Sequence, residues 1–180
     1  IELIVHGLGL HRHLLYAAED VEAYVVGSRG RLDLDFDATY EQRVKVLYAA
    51  ILHFVTHHAG RDPSDETAAR LGQLRESAEH VVRAVKEVKH MRGNTSLYTS
   101  TPHGAATTLY NSLRVGLARV LVELEDLAQE PPEERSVLWL EDERERVAGE
   151  KGAARQRVET LLRHGAVDAH VASSFLNDAN

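Results

Sequence analysis

The 180-residue chain contains no cysteine, so disulfides and thiolate metal sites are excluded and the composition suits a reducing compartment. It has no excess of basic residues either: 21 Lys and Arg stand against 28 Asp and Glu, for a formal net charge of −7. A nucleic-acid groove requires Lys and Arg clustered on one face. No such cluster occurs, and no nucleic-acid partner is expected. Long apolar runs are missing as well. The longest, Val46 to Leu52, falls far short of the roughly 20 residues that a membrane-spanning helix requires, so no membrane insertion is expected of these residues. No signal-peptide pattern is present. The sequence opens at Ile1 rather than Met and stops at Asn180 inside a helical pattern, which reads as a piece of a longer protein. No strand pattern, glycine-rich phosphate loop or nucleophile elbow is found, so no catalytic residue is named and the chain is not read as an enzyme.

What the sequence does contain is helical spacing, with 43% apolar residues to build a core. In LGQLRESAEHVVRAVKEVKHMRGN, residues 71 to 94, the apolar positions are Leu71, Leu74, Ala78, Val81, Val85 and Val88, the 3, 4 repeat of a helix that packs along its length. One such stripe cannot offset the entropy of ordering the helix, so it requires partner helices. Six helices are predicted. The first covers residues 1 to 27, with Leu3, Leu10, Leu14, Ala17 and Val21 inward and Gly27 at its end, and SRGRLDLDFD is a loop. A capping box at Thr39, Tyr40, Glu41 and Gln42 opens the second, which buries Tyr40, Val44, Leu47, Ile51 and Phe54 or Val55 and stops at Gly60. Asp62 and Pro63 open the third, and Arg92 and Gly93 close it. Thr101 and Pro102 open the fourth, whose stripe runs from Ala106 and Leu109 to Leu124 and Leu127. The fifth starts at Pro132, meets Gly149 and Gly152 where a bend is expected, and ends at His164 and Gly165. Val167, Val171 and Phe175 form one face of a sixth, cut off by the chain end. The fold class is all-α, an antiparallel helical bundle, with units at residues 1–93 and 94–180.

Eleven histidines raise the question of metal. His53 and His57 share a helix face with His58 beside them, but Phe54 stands where a helical metalloprotease places its Glu. His11 and His13 face different sides. Glu87 and His90 match the Glu-x-x-His element of a dimetal bundle, yet they lie opposite Val85 and Val88. Glu79 with Arg83, and Arg83 with Glu87, are i, i+4 pairs of the kind that decorate an exposed helix, while Glu76 and His80, also four apart, offer two ligands of a weaker metal site and leave the rest of its coordination to water or another helix. YTSTPH, residues 98 to 103, sits at a helix start where backbone amides can hold an anion or simply be capped.

The run AVKEVKHMRGN, Ala84 to Asn94, together with VASSFLNDAN, Val171 to Asn180, resembles the PhoU-like domains attached to bacterial sodium/phosphate cotransporters. TTLYNSLRVGLARVLVELEDL, Thr107 to Leu127, is similar to the fourth helix of that family. The resemblance implies two pseudo-repeated three-helix units forming a regulatory or interaction domain on the cytoplasmic side of the cell membrane. Its implied partner is a membrane-embedded transporter domain of the same chain, and a homo-oligomer is compatible with it. Soluble PhoU proteins carry an acid, and an Asp four residues on, where carboxylates bind metal clusters. Here the matching positions hold Glu79 and Arg83, and Ser174 and Asp178. A guanidinium cannot ligate a cation, so no metal residue and no cofactor are expected. The alternatives are a free-standing PhoU-like regulator of phosphate uptake or signalling and, from another class, a His- and carboxylate-dependent metal protein or enzyme.

Overall fold

A computed structural model of the chain describes residues 1–10, 21–27, 35–61, 64–100, 104–131, 133, 136 and 138–179. Among these residues all regular structure is helical. Seven helices occur in order: α1 (Glu2–Gly7), α2 (Val21–Gly27), α3 (residues 36–59), α4 (Asp65–Thr99), α5 (Ala105–Gln129), α6 (Leu138–Arg163) and α7 (Ala169–Asp178). The all-α class expected from the apolar spacing is the one adopted. The chain forms two compact units, residues 1–32 with 91–180, and residues 33–90. This division differs from the one expected from sequence, 1–93 and 94–180.

In the unit of residues 33–90, α3 comprises Phe36–Thr39, a π-helical turn at Tyr40–Val44, and Lys45–Ala59. It begins at Asp35, whose Oδ1 accepts the amide of Ala38 at 2.9 Å. The capping box expected at Thr39 does not form. Thr39 is itself helical, with φ −65° and ψ −42°, and its side chain caps nothing. Asp35 reaches the orphan amides first, and its charge also suits the positive helix terminus. The π turn then inserts one residue and rotates the remainder of the helix about its axis. Tyr40 and Val55 are buried as expected, whereas Leu47 is 63% exposed. The Tyr40 ring lies 5.5 Å from Lys45 Nζ and 5.6 Å from Lys89 Nζ. Lys89 also reaches Asp37 at 2.6 Å, which ties α4 to the start of α3.

Residues 62 and 63, the expected start of the third helix, lie outside the described residues. Ser64 supplies the N-terminal contact of α4, accepting the amide of Thr67 at 3.4 Å. The buried stripe is Leu71, Val82, Val85 and Val88, while Leu74 is exposed and Val81 is 58% exposed. The seam passes through Val82, and not through Val81, because a straight helix turns every 3.6 residues. A 3, 4 repeat therefore drifts by about 20° per heptad, enough over two heptads to change which neighbour faces inward. The predicted stop at Gly93 is also passed, since α4 continues to Thr99. Gly93 does not take a positive φ. Its cost of about 1 kcal/mol within a helix is offset by Met91, which is buried in the core two residues before it.

In the unit of residues 1–32 and 91–180, both core clusters are built on α5. One gathers Val5, Leu8, Leu10 and Val25 with Met91, Val115, Ala118 and Leu121. The other gathers Leu109, Tyr110, Val158, Val167, Ala172 and Phe175. The single helix expected over residues 1 to 27 is broken. Gly9 takes φ +72°, its amide bonds to His6 and that of Leu10 to Val5, each at 3.0 Å, and Val5 packs in the same cluster as Leu10. That is a Schellman stop, with its hydrophobic contact. Leu14 and Ala17 lie outside the described residues. α6 ends by the same device at Gly165, φ +67°, where the sequence places its end. α6 starts at Leu138 rather than Pro132 and runs unbroken through Gly149 and Gly152. Asp168 caps α7 through the amide of Val171 at 2.8 Å.

Arg114 is the side chain that sets where α1 and α2 lie. It is 2% exposed. Its Nε donates to the Leu8 carbonyl at 2.8 Å, Nη2 to Gly9 at 3.2 Å, and Nη1 to Val25 at 3.2 Å and to Asn111 Oδ1 at 2.8 Å. These carbonyls belong to the ends of α1 and α2, where the helix leaves acceptors unsatisfied and the macrodipole is negative. Burial pushes the Arg114 pKa down, while Tyr24 pushes it back up.

Two outcomes are expected in urea unfolding. Val85→Asp should cost about 3 kcal/mol or more, because it puts a charge in an apolar seam, whereas Val81→Asp should stay within about 0.5 kcal/mol. Equal losses would mean that the seam is misassigned. Arg114→Met should cost about 3 kcal/mol by orphaning several carbonyls. Arg114→Lys should recover only part of that, since an ammonium cannot span the carbonyls as the fork does. Full recovery by lysine would reduce the role of Arg114 to its charge.

Candidate functional site

In the unit of residues 1–32 and 91–180 a polar junction forms at the carboxylate of Asp178. Its Oδ2 accepts from the Tyr110 hydroxyl at 2.8 Å and from Asn94 Nδ2 at 3.0 Å. One oxygen thus joins α7, α5 and the end of α4. Tyr110 is placed by packing. Its ring stacks on Tyr98 at 5.0 Å and meets Phe175 edge-on at 5.4 Å, contacts worth about 0.5 to 1.5 kcal/mol each. Burial, and then the bond to Asp178, push the Tyr110 phenol far above its ordinary range.

Beside this junction a groove of about 690 Å³ runs between α5 and α6. Glu150 of α6 lies against Gly116 of α5, where an added Cβ would stand 3.5 Å from its Oε2. The short connection between the helices makes the pair antiparallel about that point. Toward one end of the groove stand Thr99, Thr107, Thr108, Asn111 and Arg157, beside Leu109 and Phe175. Toward the other stand Leu117, Val120, Val147 and Val26, with the Glu22 and Arg119 pair among them. Glu150 pairs with Arg146, which also holds Glu143. The bond to Arg146 keeps the Glu143 carboxyl below the usual range. Arg119 stands 3.8 Å from Glu22.

The candidates named from sequence are scattered. Rings of His53 and His57 stack 6.2 Å apart, and His57 meets His58 edge-on at 5.4 Å. His58 Nδ1 donates to the Phe54 carbonyl at 2.8 Å, since a carbonyl can only accept. Among the described residues no group of three or more His, Asp or Glu side chains is placed to hold a metal. His11, His13 and the 101–103 part of YTSTPH lie outside those residues. Glu87 and His90 are exposed. Arg83 reaches Glu79 at 3.3 Å and His80 reaches Glu76 at 3.7 Å, both pairs in solvent. Ser174 shares α7 with Asp178. The donor sets therefore do not fit a metal cluster: Glu79 faces a guanidinium, and the Oδ2 of Asp178 is engaged by two donors.

Sequence reasoning missed Tyr110 and Arg114. Their signal was present as a second stripe, Tyr110, Arg114, Ala118 and Leu121, one position from the leucines that were read as the buried face.

Below pH 10 the Tyr110 phenol is protonated both folded and unfolded, so it adds no pH dependence there. Above about pH 10 the unfolded tyrosine loses its proton while the folded one keeps it, and stability falls as pH rises. Tyr110→Phe should flatten that fall, and absorbance titration should lose one tyrosine that ionises only on unfolding. An unchanged alkaline profile would contradict the buried hydrogen bond.

Comparison of the chain with known protein families, with curated proteins and with solved structures finds no match.

Proposed function

We propose that the chain is a PhoU-like regulatory or interaction domain of a sodium-dependent phosphate transporter, without catalysis of its own. The observation that carries this reading is the junction at Asp178. The three stretches that resemble the family are separate in sequence, and each contributes one residue to it: Asn94, Tyr110 and Asp178. Segments that share a family's pattern are expected to meet if they are similar for reasons of packing. No described helix is long and apolar enough to cross a membrane, so these residues would act on a separate membrane-embedded part of the same protein, from the cytoplasmic side. Such a domain alters transport only through a difference in its contact with two transporter conformations, because a ligand that binds both equally shifts nothing.

The test is sodium-dependent phosphate uptake in cells that carry the native gene, compared with an in-frame deletion of the codons for these residues. Uptake should persist in the deletion strain while its response to external phosphate changes, and the native protein should sediment with membranes. A native protein found only in the soluble fraction would move the reading to a free-standing regulator. Uptake indifferent to both sodium and the deletion would end it.

A further inference from the structure

We infer that the groove between α5 and α6 is a binding site for an amphipathic organic anion, a molecule with one anionic head on an elongated apolar body. The inference does not depend on the transporter reading. The first support is size. About 690 Å³ lies within the roughly 300 to 1,000 Å³ of small-molecule sites, and the thirteen-residue step from Thr107 to Val120 makes the groove about 20 Å long. The second is the gradient of its lining: hydroxyl and amide groups gather toward Thr107 and Asn111, and aliphatic side chains toward Val120 and Val147, where the charged groups present, Glu22 and Arg119, face each other.

The third is charge. The chain as a whole carries −7, yet the groove is lined by Arg114, Arg119, Lys151 and Arg157 against Glu22 and Glu150. Both acids are held by arginines, Glu22 by Arg119 and Glu150 by Arg146. Arg114 is buried at the groove wall with its guanidinium bonded to the Leu8, Gly9 and Val25 carbonyls, and adds a positive charge in a low dielectric. Arg157 stands at the Thr107 end, opposite Leu109 in the antiparallel register, and has no hydrogen-bond or ion-pair partner among the described residues. An anionic head placed at the Arg157 guanidinium leaves its body along Leu113, Leu117 and Val120; the Thr107 and Thr108 hydroxyls beside it donate to the Tyr98 and Gly104 carbonyls. A helical peptide is the poorer occupant. The approach of Glu150 to Gly116 narrows the middle of the groove, where a helix about 10 Å across cannot lie but an extended chain can.

The test is calorimetric titration of the 180-residue chain with dodecyl phosphate and with dodecanoate, each below its micelle concentration. Dodecyltrimethylammonium serves as the cationic control. Both anions should bind once per chain, and the cation at least about tenfold more weakly. Arg157→Glu, at an exposed position, should weaken both anions by about tenfold with the helical circular dichroism unchanged. Ser112→Trp, which fills the groove from an exposed turn of α5, should abolish binding. Saturable binding of only one anion would keep the site and assign its head as phosphate or carboxylate. Equal affinity for anion and cation, no saturable binding, or binding indifferent to either variant would overturn the inference. So would tighter binding by an acidic amphipathic peptide that Ser112→Trp blocks.

Discussion

The unit of residues 1–32 and 91–180 depends on a single buried guanidinium. A charge taken out of water carries a desolvation cost of several kcal/mol even after relaxation, and it persists only where excellent geometry answers it. Arg114 is answered by Leu8 and Gly9 at the end of α1, by Val25 near the end of α2, and by Asn111 one turn away. The requirement is mutual. The carbonyls at a helix C-terminus lack intrahelical donors, and a buried terminus without partners would be as costly as the unpaired cation. Two short helices, each too brief to be stable alone, are thereby fixed to one long helix. The Schellman stop at Gly9 is part of the same arrangement, since it turns the Leu8 and Gly9 carbonyls away from α1 and leaves them for Arg114.

That dependence explains why some of the fold was legible in the sequence and some was not. Helix existence followed from local periodicity, and α5 and α7 were anticipated with their approximate limits, as was the end of α6 but not its start. Stops carried by a glycine in the left-handed region were legible only where the chain used them. Gly165 ended α6 and α2 runs to Gly27, where the sequence placed stops, but Gly9 closed α1 where none was placed, and Gly93 closed nothing. Gly9, Gly93 and Gly165 look alike in sequence. What separates them is whether the flanking apolar residues pack across the turn, as Val5 and Leu10 do, or continue a helical seam, as Met91 does. Register was harder still. Val81 and Val82 are equally apolar neighbours, and only the drift of a straight helix over two turns of seven selects the second.

The polar junction was less legible than the core, for a different reason. Asp178 and Asn94 are ordinary surface residue types, 84 positions apart, and nothing local indicates that they share a hydrogen bond. The resemblance drew attention to the segments that hold them without saying what the side chains would do. Tyr110 and Arg114 were hidden by their neighbours: Leu109, Leu113 and Leu117 make so regular a stripe that one buried face accounts for the pattern. α5 in fact packs on two sides, since Leu109 and Phe175 belong to one cluster and Val115 and Ala118 to the other. A helix with two buried faces must bury whatever lies between them, and here that includes an arginine and a tyrosine.

The same geometry bears on the positions where the family pattern would place metal-binding acids. At the first, Glu79 has Arg83 one turn away in solvent, where the pair is worth only tenths of a kcal/mol. A cation would be opposed mainly by the nearness of the guanidinium. At the second the obstacle is structural. The Oδ2 of Asp178 holds Tyr110 and Asn94, so a metal drawing on that oxygen would compete with two donors that also anchor α7 against α5 and α4. Releasing Tyr110 would leave a buried hydroxyl without its acceptor, a cost of about 1 to 3 kcal/mol, before any gain from coordination. In this chain Asp178 is a packing element, and the seam it closes brings together the three stretches that resemble the family.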